Sequence, residues 1–115
     1  VAINEAYSGS ASISTTEYSC PNAGNYSSAN AITTDGIYQV FLDTSDMVAG
    51  DQLQIRIYEK CRSGDTQRVI YEAILTGTMA DTWVSPSLIL LHGWDVTLDA
   101  LAGTITVNWS IRQVA

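Results

Sequence analysis

Basic residues are scarce in this 115-residue chain: five lysines and arginines stand against twelve aspartates and glutamates, a formal net charge of -7. Nucleic-acid binding rests on clustered lysine and arginine that displace counterions from phosphates, so no direct nucleic-acid partner is expected. Long apolar runs are also missing. The longest, residues 88–91, stops at His92 and Gly93, far short of the roughly 18 to 20 residues of a membrane-spanning helix, so no membrane partner is expected. Val1-Ala2-Ile3-Asn4-Glu5 has neither a basic nor an apolar segment and is read as no signal peptide, although a form cleaved ahead of Val1 would look the same. Two cysteines and one histidine make no tetrahedral zinc set, and Cys20 and Cys61 are read as free thiols, with one disulfide between them as the alternative in an oxidising compartment. No H-E-x-x-H, no G-x-S-x-G and no glycine-rich phosphate loop occurs, so neither an enzyme nor a cofactor is expected.

What the chain does have is apolar and uncharged polar matter. Hydrophobic residues make up 46% and charged ones 15%, against about 25% charged in an average domain, so much of the surface must be Ser, Thr, Asn and Gln. Such a surface is easily desolvated and suits a protein packed against other chains. The length fits a single domain able to bury its own core.

Residues 7–34 are rich in Ser, Thr, Asn, Ala and Gly and poor in large aliphatics. Apart from a short strand near Ser10 to Ser14, residues 1–34 read as a polar N-terminal arm and loop region, mobile in the free subunit and ordered in an assembly. Residues 35–115 read as a β-sandwich core, both parts belonging to one domain. Residues 37–43 form a strand with Tyr38, Val40 and Leu42 inward, and residues 43–51 a turn-rich connection that admits one helical turn near Ser45. Residues 52–60 and 68–76 form a hairpin in which Leu53 meets Leu75, Ile55 meets Ala73, Ile57 meets Tyr71 and Arg56 meets Glu72. A further strand lies within residues 83–91, its aliphatic run suited to burial on both faces or to a partner on one. Residues 94–112 read as a second hairpin around Ala100-Leu101-Ala102-Gly103, pairing Leu98 with Ile105, Val96 with Val107 and Trp94 with Trp109 over a wet face of Asp95, Thr97 and Asp99. The fold expected is an all-β antiparallel β-sandwich, jelly-roll or immunoglobulin-like, with Leu53, Ile55, Ile57, Trp94, Val96, Leu98, Ile105, Val107 and Trp109 in its core.

His92 with Asp95 is read as a turn histidine rather than a base or a ligand. Asp43-Thr44-Ser45-Asp46 carries the oxygen spacing of a calcium loop only in outline. Four of the five basic residues, Arg56, Lys60, Arg62 and Arg68, fall on one hairpin; either they pair locally with Glu59, Asp65 and Glu72, or they form a docking edge for an acidic neighbour. Tyr7, Tyr18, Tyr26 and Trp83 complete the interface candidates. Exposed aromatics of this kind could also stack on sugar rings.

The phrases Thr34-Asp35-Gly36-Ile37-Tyr38-Gln39-Val40-Phe41-Leu42-Asp43, Gly50-Asp51-Gln52, Ile57-Tyr58-Glu59-Lys60, Pro86-Ser87-Leu88-Ile89-Leu90-Leu91-His92-Gly93-Trp94-Asp95 and Trp109-Ser110-Ile111-Arg112 resemble a family of small virion structural proteins of tailed bacteriophages. The likeness runs over about residues 34–115 and brings no binding residues that match by position. It implies a capsid cement or decoration protein on the capsid exterior, present in the host cytoplasm before assembly. Such a protein would bridge major capsid protein subunits, and because a small subunit gains avidity from several linked contacts, it is expected to form a homo-oligomer, for which a trimer is the first candidate. A tail- or fibre-associated virion subunit and a carbohydrate-binding module are the alternative expectations.

Overall fold

Alternation at residues 52–60 and 68–76 sets the clearest piece of the structure, a computed structural model that describes residues 2–114. In it Leu53 lies opposite Leu75, Ile55 opposite Ala73, Arg56 opposite Glu72 and Ile57 opposite Tyr71, the register expected from burying one face. A bulge follows Ile57, so that Tyr58 meets Val69. The strands end at Glu59 and begin again at Arg68, which makes the connecting loop longer than a tight turn.

In chain order the strands are β1 (Ile3–Ile13), β2 (Tyr18–Ser19), β3 (Gly24–Asn25), β4 (Gly36–Asp43), β5 (Gln52–Glu59), β6 (Arg68–Thr76), β7 (Trp83–Val84), β8 (Leu88–Leu90), β9 (Asp95–Ala102) and β10 (Ile105–Val114), with a 3-10 turn at Ser28–Asn30. The first sheet runs β1-β10-β4-β7, with β8 also on β4, and the second runs β3-β2-β9-β5-β6. Every pairing is antiparallel. The inward faces meet in one core that includes all the core residues expected from the sequence, Tyr38, Val40, Leu42 and Trp94 among them, together with Ile13, Met47, Leu90 and Ile111. The domain is an all-β antiparallel sandwich.

Residues 94–112 are not a hairpin. β9 and β10 follow one another in sequence but sit in different sheets, joined through Gly103 at φ 84°, where a Cβ would overlap the Asp51 carboxylate. β9 pairs with β5, bringing Leu98 opposite Ile55 and Val96 opposite Ile57, while β10 lies between β1 and β4. Leu98 and Ile105 are both buried because they face each other through the core, not along a shared ladder. The face expected to be wet is covered: Asp95 and Thr97 are fully buried and Asp99 nearly so.

The N-terminal segment also departs from expectation. The sandwich begins at Ile3, not at residue 35, because β1 pairs with β10 from Ile3 opposite Val114 to Ile13 opposite Ile105. Between the inward Tyr7 and Ile13 it places only Gly9 and Ala11, because a large ring already fills that part of the layer: a Cβ on Gly9 would lie 2.7 Å from Trp109 Cζ2. Trp94 packs on Tyr38 and Tyr7, with ring centroids 4.4 and 6.0 Å away, and Trp109 packs on Tyr18 at 5.5 Å. The helical turn admitted near Ser45 is replaced by two successive turns, with Met47 N donating to Thr44 O and Asp51 N to Val48 O. Cys20 is buried and Cys61 exposed, and both are free thiols.

Candidate functional site

The loop of residues 60–67 closes the β5-β6 hairpin, and its ordering starts from Glu59. That carboxylate accepts from Lys60 N and from the backbone N–H groups of Leu91 and His92, which ties the hairpin tip to the turn before β9. Gln67 Nε2 donates to Gly93 O at 3.2 Å from the same side. The result is a cleft of about 700 Å³ whose lining includes Glu59, Lys60, Asp65 and Arg68, two acidic and two basic side chains, beside Cys61 and Val69. Arg62 is largely exposed and forks onto Asp65, with contacts of 3.2 and 3.1 Å. A pair so open to solvent contributes under about 1 kcal/mol and leaves the guanidinium available. Arg68 is exposed and has no ion pair among the described residues.

Arg56, the fourth basic candidate, has a different role. Its Nε lies 3.0 Å from Glu72 Oε2 and its Nη1 3.5 Å from Glu17 Oε2, and the hydrogen bond to Glu72 raises its pKa. Glu17 Oε2 also accepts from Tyr58 Oη and Thr97 Oγ1, both at 2.6 Å. This knot fastens residues 14–34 across the outward side of the second sheet. Ser19 Oγ and Val96 N donate to Asp95 Oδ1 at 2.7 and 2.8 Å, while Asp95 Oδ2 has no protein partner. Burial pushes the Asp95 carboxyl up to about 6 against the opposing pull of those two donors. Glu17 is the only charged residue between Glu5 and Asp35, a signal in the sequence that marked it.

The aromatic candidates hold the fold together. Tyr7 and Tyr18 pack on the two tryptophans, and Tyr26 stacks on Tyr58 at 4.6 Å and donates to Gln67. Trp83 is half-buried against Tyr71, 6.3 Å between centroids. His92 lies in the turn ahead of Gly93, as read, and no group of three metal-binding side chains occurs among the described residues.

A surface not singled out from the sequence lies on the outward face of the first sheet. Register places Ile3 opposite Val114, Val114 opposite Ile37 and Ile37 opposite Ile89, one aliphatic row across β1, β10, β4 and β8. All four side chains are open to solvent, Ile3 at 73% and Ile89 at 77% of full exposure. Beside the row, Arg112 lays its guanidinium 3.8 Å from the centre of the Phe41 ring, forming the wall of a shallow groove of about 170 Å³. The aliphatic run of residues 88–91 thus splits by face, with Leu90 buried and Ile89 and Leu91 outward. The row and the cleft at the hairpin tip lie at the same end of the sandwich, joined through the Glu59–Leu91 contact. No family model, curated protein or solved structure matches the chain.

Proposed function

We propose that this chain is a capsid decoration protein that bridges neighbouring major capsid protein subunits on the outside of a virion. The observation that carries the reading is the exposed aliphatic row at the end of the sandwich where the β5-β6 hairpin tip presents Lys60, Arg62 and Arg68. Isolated exposed aliphatics are ordinary, but a contiguous row on a flat sheet marks a binding surface. The row supplies apolar area to bury, and Lys60, Arg62 and Arg68 supply orientation toward an acidic partner. The phrase resemblance to phage virion proteins gives the class of partner. A net charge of -7 suits a position outside the shell, away from packaged DNA. The tryptophans that a sugar platform would need are turned into the core or held against Tyr71, which favours the decoration reading over a carbohydrate-binding module.

The test is retention on purified shells. Ile37→Asp with Ile89→Asp, and separately Lys60→Glu with Arg68→Glu, should leave the melting temperature of the free subunit within a few degrees and reduce shell retention at least about tenfold, equivalent to about 1.4 kcal/mol. Retention of both double variants at the wild-type level would overturn the reading. Labelling confined to one vertex of the particle would assign the protein to the tail instead.

A further inference from the structure

Both sheets end in strands with a free side, and the long ones differ in how they are protected. β6 carries a bulge beside Arg68 and Glu72, charged features that blunt an edge against pairing with another chain. β7 and β3 are two residues each, too short to template anything. β1 has neither defence over most of its length. From Tyr7 to Ile13 it reads Tyr-Ser-Gly-Ser-Ala-Ser-Ile, without charge, without proline and without a bulge, and no strand lies on its free side among the described residues. Its single irregularity falls between Glu5 and Tyr7, and the strand ends at Ile13.

We infer that β1 is the dimerisation edge of this protein, pairing antiparallel with β1 of a second copy about a two-fold axis at Ser10. The regular run extends from Tyr7 to Ile13, and its midpoint is Ser10. Pairing about that midpoint sets Ser8 opposite Ser12, Gly9 opposite Ala11 and Tyr7 opposite Ile13, each contact made twice, as an isologous interface requires. The faces agree as well. Ser8, Ser10 and Ser12 are outward and exposed, so they form a serine ladder across the junction, while Tyr7, Gly9, Ala11 and Ile13 continue the inward apolar layer. A shift of the axis by one residue runs the pairing into the bulge at one end or the turn at the other.

The symmetric match selects a second copy as the occupant, since pairing about Ser10 sets serine against serine, the small Gly9 against the small Ala11 and the bulky Tyr7 against the bulky Ile13. Two chains of -7 repel, so such a contact has to fall where no like charges meet, and the Tyr7 to Ile13 run is uncharged. The pair would form one continuous sheet, with the aliphatic row of each copy left open at its own far end. This dimer stands independently of the virion reading, because it forms in the free protein. It is also a different unit from the trimer expected on the avidity argument.

Sedimentation velocity of the full chain at rising concentration tests the proposal. Wild type should move from one to two copies in the micromolar range. Ser8→Lys with Ser12→Lys places lysine opposite lysine twice and should yield a monomer with an unchanged melting temperature. Ser8→Lys with Ser12→Glu places opposite charges across the same contacts and should recover the dimer, an outcome that general damage to the strand would not produce. The Ser8→Lys, Ser12→Lys chain mixed with a Ser8→Glu, Ser12→Glu chain should form a mixed pair. A wild type that remains a monomer or forms a trimer, or a doubly lysine-substituted chain that dimerises like wild type, overturns it.

Discussion

Asp95 is a carboxylate with no access to water, one oxygen bonded to Ser19 and to Val96 N and the other without a protein partner. Its pKa, raised to about 6 in the fold, lies above the roughly 3.9 of an unfolded aspartate. Between those two values the native state binds more protons than the unfolded one, so stability falls as pH rises through this window. Below about pH 4 the group is protonated in both states and costs nothing further; above about pH 6 the full penalty of a buried charge is present. Burial also raises the Asp99 pKa, which adds to the same trend. Asp95→Asn keeps the acceptor for Ser19 and Val96 and removes the titration. The stability of the variant relative to wild type should therefore improve by on the order of 2 kcal/mol between pH 4 and pH 7. Urea midpoints of both proteins at the two pH values measure this, and an equal difference at both would show that Asp95 carries no buried charge.

At the scale of elements, residues 14–34 depend on Glu17. Glu17→Ala removes the acceptor of two hydroxyl donors, Tyr58 and Thr97, and one carboxylate partner of Arg56. Groups left unpaired under cover cost about 1 to 3 kcal/mol each, so the variant should lose about 2 to 4 kcal/mol and exchange amide hydrogens faster between Tyr18 and Asn30. Glu17→Gln, which keeps an acceptor, should lose less; equal stability of all three proteins would separate the segment from this contact. The same elements show what the sequence disclosed. The β5-β6 register was legible because a slip of one residue would have turned Ile55 and Ile57 outward. The β9-β10 relation was not, because placing two strands side by side or face to face across a sandwich buries the same Val96, Leu98, Ile105 and Val107. Covering of Asp95 and Thr97 by a distant segment leaves no periodic mark. The basic residues were visible as a cluster on one hairpin, whereas the aliphatic row joins four strands whose order no local pattern encodes. β1 was read as an arm because its middle, residues 8–12, holds only Ser, Gly and Ala, and the bulk beneath Gly9 is supplied by Trp109 of β10.

For the whole molecule, the chain closes on itself: β1 near its start pairs with β10 near its end, and the sandwich measures 41 by 31 by 20 Å, the shortest extent fitting two sheets about 10 Å apart. β1 is thus one wall of the core. Removing residues 1–13 would strip the ladder from one side of β10, delete the buried Ile13 and uncover Ile105, Val107 and Trp109. Losing one buried isoleucine costs about 2 to 5 kcal/mol, and the unpaired strand and uncovered rings add a similar amount. The sum is comparable to the roughly 5 to 15 kcal/mol that holds a domain of this size together. The truncated chain should therefore lack a cooperative thermal transition and bind a hydrophobic dye, although trimming residues 1 and 2 alone should change little. An arm that merely hung from a finished sandwich would predict the opposite. A truncated protein that melts cooperatively within a few degrees of the full chain would show that the core is complete without β1, and that the strand docks on it as a separable part.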